Sequence, residues 1–205
     1  MIQALIFDVD GTLAETEELH RKAFNETFAA NGVGWDWSVA DYTRLLKTTG
    51  GKERMRAYCG EIDADLSDEK IAALHQDKTA RYANLVAAGG LTLRPGIAGL
   101  VEGGRAQGLG LAVATTTSRA NVDALCRACW GQPAAAVFDV IAAGDEVAAK
   151  KPAPDVYLLA LERMGLKPEQ AIAFEDTRNG MLSARAAGLL VCISPTVYSA
   201  DDDFS

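Results

Sequence analysis

No stretch of this chain approaches the roughly 20 consecutive apolar residues that a membrane-spanning helix needs. Basic residues are outnumbered: Lys plus Arg number 20 against 28 Asp plus Glu, giving a net charge of −8. A binder of nucleic acid or of an anionic membrane neutralises phosphates with basic side chains, so neither is an expected partner. The opening MIQALIFDVD has no basic flank and no cleavage site, and Asp8 ends its apolar run. It is not read as a signal peptide, which points to the cytoplasm, or to the plastid stroma in a photosynthetic eukaryote. The four cysteines are Cys59, Cys126, Cys129 and Cys192. Cys126 and Cys129 form a C-x-x-C, but there is no second pair, and His20 and His75 lie far off in sequence. They are read as packed thiols on one face of a helix. No internal repeat or low-complexity segment is present.

What the chain does have is an ordinary globular balance, with 49% apolar and 23% charged residues over 205 positions. That suits one mid-sized domain, or a core carrying a smaller insert. Short, nearly continuous apolar runs occur at Ile2–Phe7, Leu109–Ala114, Phe138–Ala142, Ala171–Phe174 and Leu189–Ile193. Such runs are typical of strands buried on both faces. Helical patterns separate them, from about Ile97 to Gln107, Ala120 to Trp130, Pro154 to Met164 and Asn179 to Ala187. The alternation predicts an α/β fold, a Rossmann-like parallel sheet.

Residues 16–90 break the rhythm. Leu19, Ala23, Phe24, Thr27 and Phe28 repeat at helical spacing, as do Ile71, Leu74, Lys78, Tyr82 and Leu85. This predicts an inserted α-helical cap over 16–90, on a core made of 1–15 and 91–205. The hinges would lie near Ala14–Glu15 and Ala88–Leu91. The final SADDDFS reads as exposed and frayed.

Candidate chemistry gathers at strand ends, where open α/β sheets bind ligands. The first strand ends in Asp8-Val9-Asp10-Gly11-Thr12, two carboxylates beside a glycine turn. The second ends in Thr115-Thr116-Thr117-Ser118, an anion-binding helix start or a simple N-cap. After the third comes Lys150-Lys151-Pro152, whose Lys151 is a directed phosphate contact or a solvated charge. The fourth ends in Glu175-Asp176, oxygen ligands suited to Mg²⁺ or an N-cap.

Taken in order, these four motifs resemble those of the haloacid dehalogenase-like superfamily, and the resemblance covers almost the whole chain. It implies Asp8 as the nucleophile, forming an aspartyl-phosphate, and Asp10 as general acid and base. It implies Mg²⁺ held by Asp8, the Asp10 carbonyl, Asp176 and Glu175. Thr115, Thr116 and Lys151 would hold the phosphoryl oxygens. Asp10 argues against a true dehalogenase and against a phosphonoacetaldehyde hydrolase, for which Lys52 would be the Schiff-base lysine.

Within the cap, AETEELHRKAFNETF and TTGGKER resemble the CbbY-like phosphatases. Calvin-cycle members of that group act on xylulose 1,5-bisphosphate, a misfire product that inhibits Rubisco. The resemblance implies a phosphorylated-sugar substrate and contacts from Glu17, His20, Lys47, Gly51, Lys52 and Lys78. Lys52 and Lys78 would supply a second anion site, with Arg44, Arg54 and Arg81 as weaker candidates. Gly50-Gly51 is no P-loop, since Glu53 follows the lysine. A β-phosphoglucomutase is the alternative enzyme, in which a cap Thr, His and Lys align with Thr16, His20 and Lys78. A catalytically dead binding module is the alternative of another class. The chain is expected to be a monomer. Members of the group continue through a further strand and helix beyond the point matching Ser205.

Overall fold

The computed structural model describes all residues from Met1 to Ser205. The chain runs β1 (Ala4–Phe7), α1 (Glu17–Ala30), α2 (Val39–Leu45), α3 (Gly51–Glu61), α4 (Asp68–Ala87) and α5 (Ile97–Ala106). It continues β2 (Gly110–Ala114), α6 (Arg119–Trp130), α7 (Ala134–Val137), β3 (Val140–Ala142), α8 (Asp155–Met164), β4 (Ala171–Glu175), α9 (Arg178–Ala186) and β5 (Leu190–Ile193). All five strands are parallel, in the order β3-β2-β1-β4-β5. The chain leaves β1 toward one edge, then returns to the other side of β1. That reversal opens a crevice beyond the carboxyl ends of β1 and β4.

The alternation along β1 builds the two layers. Leu5 and Phe7 join Val101, Leu111, Val113, Val122 and Leu125 on the α5–α6 face. Ala4 and Ile6 join Ala112, Ala114, Val156, Tyr157 and Ala173 on the α8–α9 face. This second face is rich in alanine, which lets the helices sit close to the strands. Phe7 and Phe174, paired in register on β1 and β4, stack with ring centroids 4.9 Å apart. All five expected strands form. The third begins at Val140 rather than Phe138, because Ala134–Val137 closes a helical turn and Phe138 packs under Phe7.

Helices α1–α4 share their own buried cluster of Phe24, Phe28, Trp37, Tyr42, Leu45, Met55, Ile71 and Leu74. Ala23, Phe24, Thr27 and Phe28 are buried along α1 at the expected spacing. The chain enters and leaves this layer at adjacent points. Ala14 bridges Leu93, Leu13 C=O accepts the Arg94 N–H at 2.8 Å, and Arg94 Nε lies 3.1 Å from Glu15.

Ala200, Asp201, Asp203 and Ser205 are exposed, as expected for the final SADDDFS, but the segment is tied down at Ser199 and Asp202 rather than frayed throughout. Ser199 Oγ accepts the Thr196 N–H at 2.9 Å, and both residues are buried. Tyr198 packs edge-on against Tyr42, and its hydroxyl donates to Glu18. Asp202 accepts the Arg178 N–H at 2.8 Å, at the start of α9. Hydroxyl-to-backbone bonds and one aromatic contact order this stretch without any regular element.

Candidate active site

The acidic residues converge because β1 and β4 are neighbours. Asp8 follows β1, while Glu175 ends β4 with Asp176 directly after it. One carboxylate oxygen from each of the three falls within 4.8 Å of the others, and all three residues are buried. The local backbone is built around them. A Cβ on Gly11, whose φ is +80°, would lie 2.2 Å from Asp176 Oδ2. One on Gly180 would lie 1.9 Å from Glu175 Oε2. Only glycine admits either approach.

A single buried cation faces this cluster. Lys151 Nζ donates to Asp8 Oδ1 and Glu175 Oε1, both at 2.6 Å, and to the Ala114 C=O at 2.9 Å. Tyr157 OH donates to the same Glu175 oxygen, whereas Glu175 Oε2 is buried without a partner. The Lys151–Pro152 peptide is cis. Burial, with the nearby Glu175 and Asp10 charges, pushes the Asp8 carboxyl up to about 8 despite Lys151. Burial and the Asp8 charge likewise raise Asp176 well above the usual range. Burial alone would lower Lys151, but Asp8 and Glu175 outweigh it and raise it. With all three carboxylates ionised, one ammonium would leave negative charge uncompensated, and that repulsion adds to burial in raising Asp8 and Asp176. An all-oxygen donor set with an orphaned carboxylate oxygen fits a hard divalent cation such as Mg²⁺.

Thr115 directly follows β2 and is buried, its Oγ1 accepting the Thr117 N–H at 3.2 Å. Thr116 lies beside the turn after β3, where a Cβ on Gly144 would meet its carbonyl oxygen at 2.1 Å.

Asp10 points the other way, toward the helical layer. Its Oδ1 accepts from Thr16 Oγ1 at 2.6 Å and lies 2.9 Å from His20 Nε2. His20 Nδ1 is 2.6 Å from Lys78 Nζ. His20 stacks on Tyr82 at 4.0 Å, and the Lys78 ammonium sits 4.8 Å over the Phe24 ring. Burial would raise the Asp10 carboxyl, but His20 and Thr16, with Lys78 beyond, hold it well below the usual range. Burial lowers the Lys78 amine to about 7, with Asp10 opposing. Lys78 therefore sits in a chain of contacts that ends on Asp10, besides lining the cavity.

One cavity of about 830 Å³ lies between the sheet and the helical layer. It brings together Asp8, Asp10, Glu17, His20, Lys47, Gly51, Lys78, Thr115, Thr116, Lys151 and Asp176. Glu175 lies buried beneath it. Lys52 is exposed and outside the lining, whereas Arg54, two residues on, is buried and lines it. Arg54 donates to Tyr42 Oη at 2.9 Å and to the Leu45 C=O at 3.3 Å, and has no carboxylate partner. Tyr42 OH in turn donates to Glu17 at 3.0 Å. Arg44 lines the cavity but pairs with Glu61 and Asp41, and Arg81 pairs with Asp77 outside it.

His75, Asn179 and Tyr198 also line the cavity and were not singled out from sequence. His75 precedes Lys78 by three residues, so helical spacing signals a shared face. Its proximity to Gly51 is visible only in the fold: a Cβ there would meet the imidazole at 2.7 Å. Burial, then Lys78, Lys52 and Arg54, lower the His75 imidazole to about 4.

The haloacid dehalogenase-like hydrolase family matches residues 2–188. The chain belongs to this family. This haloacid dehalogenase-like hydrolase is 60% identical over 204 residues to protein CbbY of Rhodobacter capsulatus, spanning 100% of this chain and 90% of that one. The crystal structure of CbbY from Rhodobacter sphaeroides with phosphate superposes at a TM-score of 0.97. Identity there is 55%, over 100% of this chain and 91% of that one. A mutant of the same protein, in complex with xylulose 1,5-bisphosphate, gives 0.97 at 54% identity over the same shares. The chain is an enzyme, a phosphatase of this family. No helix is long and apolar enough to cross a membrane.

Proposed function

We propose that the protein is a Mg²⁺-dependent phosphatase of sugar phosphates, with xylulose 1,5-bisphosphate as its substrate. The observation that carries this reading is a single cavity with anion-accepting groups at two separate places. Lys151, Thr115 and Thr116 stand beside Asp8. Arg54, Lys47 and the start of α3 stand on the helical side. A sugar with two phosphates satisfies both. The CbbY structure that holds xylulose 1,5-bisphosphate supports the choice.

In this reading Asp8 attacks phosphorus, and the bond from phosphorus to the sugar oxygen breaks. Asp10 gives its proton to the leaving oxygen. Asp10 then takes a proton from water, which attacks the aspartyl-phosphate and frees phosphate and Asp8. His20 and Thr16, which hold the Asp10 carboxyl low, favour the base form that the second half needs. Loosening its His20 contact restores the acid form, because burial alone raises the carboxyl. Lys151 and the Thr115–Thr116 turn hold the phosphoryl oxygens. Asp8, Asp176 and the Asp10 carbonyl would hold Mg²⁺, with Glu175 beside them. The cation, when bound, offsets repulsion between the anionic nucleophile and the phosphate.

Residues 16–90 act as a cap that selects substrate, on a core of 1–15 and 91–205. Closing the cap excludes water from the transfer, and opening releases product. Glu17 faces the sugar hydroxyls, while both His20 ring nitrogens are taken by Asp10 and Lys78. Arg54 replaces Lys52 as the anchor for the distal phosphate, and Lys78 acts on Asp10 through His20.

The test is Mg²⁺-dependent phosphate release from xylulose 1,5-bisphosphate, with β-glucose 1-phosphate alongside. Preferred release from the bisphosphate supports the reading. Conversion of glucose 1-phosphate to glucose 6-phosphate without release makes the protein a mutase.

A further inference from the structure

Asn179 belongs to none of the roles above, yet its amide spans the cavity mouth. It is the second residue of α9, four positions after Glu175. Its Nδ2 donates to the Lys47 C=O and to Thr49 Oγ1, both at 3.0 Å. The partners lie 132 and 130 residues away in sequence, in the connection between α2 and α3. Both amide protons are used, and both acceptors come from one short loop.

The two ends of this contact are anchored very differently. On the core side, Thr177 Oγ1 accepts the Gly180 N–H at 3.1 Å. Gly180 itself presses on the Glu175 carboxylate so closely that a Cβ would lie 1.9 Å from Oε2. The first turn of α9 is therefore tied to the same residues that form the acidic cluster. On the helical side, the loop carries Lys47 and runs into Gly50 and Gly51, where α3 begins. Gly50 has φ +97°, and Gly51 packs against His75. Within the helical layer the loop is held by turn hydrogen bonds, Lys47 N–H to the Arg44 C=O at 3.4 Å and Thr48 N–H to the Leu45 C=O at 3.0 Å, and the Asn179 amide is the donor that ties it to the core.

We infer that Asn179 is a positioning residue that sets the distance between the acidic cluster and the Lys47–Gly51 loop. It thereby selects substrates with a second phosphate of the matching reach. This rests on the reading of the distal wall as a second phosphate site. A monophosphate that ends short of the loop does not use the contact. A bisphosphate does, because its far phosphate meets a loop already held in place, which lowers the ordering cost of binding.

The experiment compares wild type with Asn179→Ala, Asn179→Asp and Thr49→Val. The readouts are steady-state kinetics on xylulose 1,5-bisphosphate and p-nitrophenyl phosphate, and amide hydrogen exchange over residues 47–51. In Asn179→Ala, KM for the bisphosphate rises about tenfold with kcat little changed, as for loss of a pair of hydrogen bonds. The p-nitrophenyl phosphate constants stay within about twofold, and loop exchange speeds up about tenfold at an unchanged unfolding midpoint. Thr49→Val, which removes one bond, gives a smaller rise. Asn179→Asp, which turns a carboxylate on the Lys47 C=O and leaves that acceptor without a donor, gives a larger one. Equal losses on both esters, or an unaltered loop exchange, overturn the inference. A wild type that cleaves p-nitrophenyl phosphate but shows no preference for the bisphosphate overturns the substrate reading and the selectivity drawn from it. Exchange in the loop then decides the positioning role alone.

Discussion

The ammonium of Lys151 lies 2.6 Å from Asp8 Oδ1, and the same nitrogen meets Glu175 Oε1 at 2.6 Å. Removing it leaves buried carboxylates without their one protein cation. Lys151→Met keeps the length and apolar bulk but not the charge. It is expected to cost about 3–5 kcal/mol of stability in chelator, read by denaturant unfolding. A variant as stable as wild type in chelator contradicts the assigned charge balance.

The complementary excess of negative charge predicts a metal effect. At 100 times its dissociation constant, Mg²⁺ stabilises the fold by about 2.7 kcal/mol. Asp176 is raised in the folded state, so its ionisation destabilises the metal-free fold as pH rises above its unfolded value. Asp176→Asn is therefore more stable than wild type in chelator at pH 7, and gains much less from Mg²⁺. Thermal unfolding with and without Mg²⁺ reads both. An equal Mg²⁺ gain in the variant removes Asp176 from the ligand set.

His75 gives a pH signature. Its folded value of about 4 lies below the ordinary 6.5, so the unfolded chain binds more protons between the two. The contribution is fully present above about 6.5 and is lost as pH falls toward about 4. The difference is worth up to about 3 kcal/mol. His75→Gln flattens that part of the stability profile, measured by denaturant unfolding at pH 7 and pH 4.5. Profiles that stay parallel contradict the shift.

Arg54 and Lys52 separate the two candidates for the distal phosphate. Arg54→Ala is expected to raise KM for xylulose 1,5-bisphosphate about tenfold or more, as for loss of a charge-assisted hydrogen bond. Lys52→Ala leaves it within about twofold, as expected for an exposed charge. Arg54→Lys, which keeps the buried stem and charge, is the control for packing. The opposite ranking returns the site to Lys52.

Lys52 and Arg54 also show why part of the site was hidden in the sequence. An α-helix turns about 100° per residue, so positions two apart face nearly opposite directions. Which of them enters the cavity depends on where α3 starts and how it is rotated, and Gly50-Gly51 fixed neither in advance. The core motifs were readable for the opposite reason. Asp8, Thr115 and Asp176 directly follow β1, β2 and β4, so a parallel sheet brings them together, whereas Lys151 lies nine residues past the end of β3 and reaches them through its loop. Buried parallel strands are continuous apolar runs, which made β1 plain. Phe138 misled because an aromatic beside a strand resembles one within it. Asn179 carries no periodicity and acts through partners far off in the chain, and the Thr196–Ser199 turn is closed by local hydroxyl-to-backbone bonds that no regular spacing announces.

The most direct test of the account is steady-state phosphate release from xylulose 1,5-bisphosphate with Mg²⁺, comparing wild type with Asp8→Asn. The account predicts Mg²⁺-dependent release by wild type and none above background by a folded Asp8→Asn, whose circular dichroism matches wild type. Substantial turnover by Asp8→Asn would contradict the covalent role of Asp8, and with it the proposed mechanism.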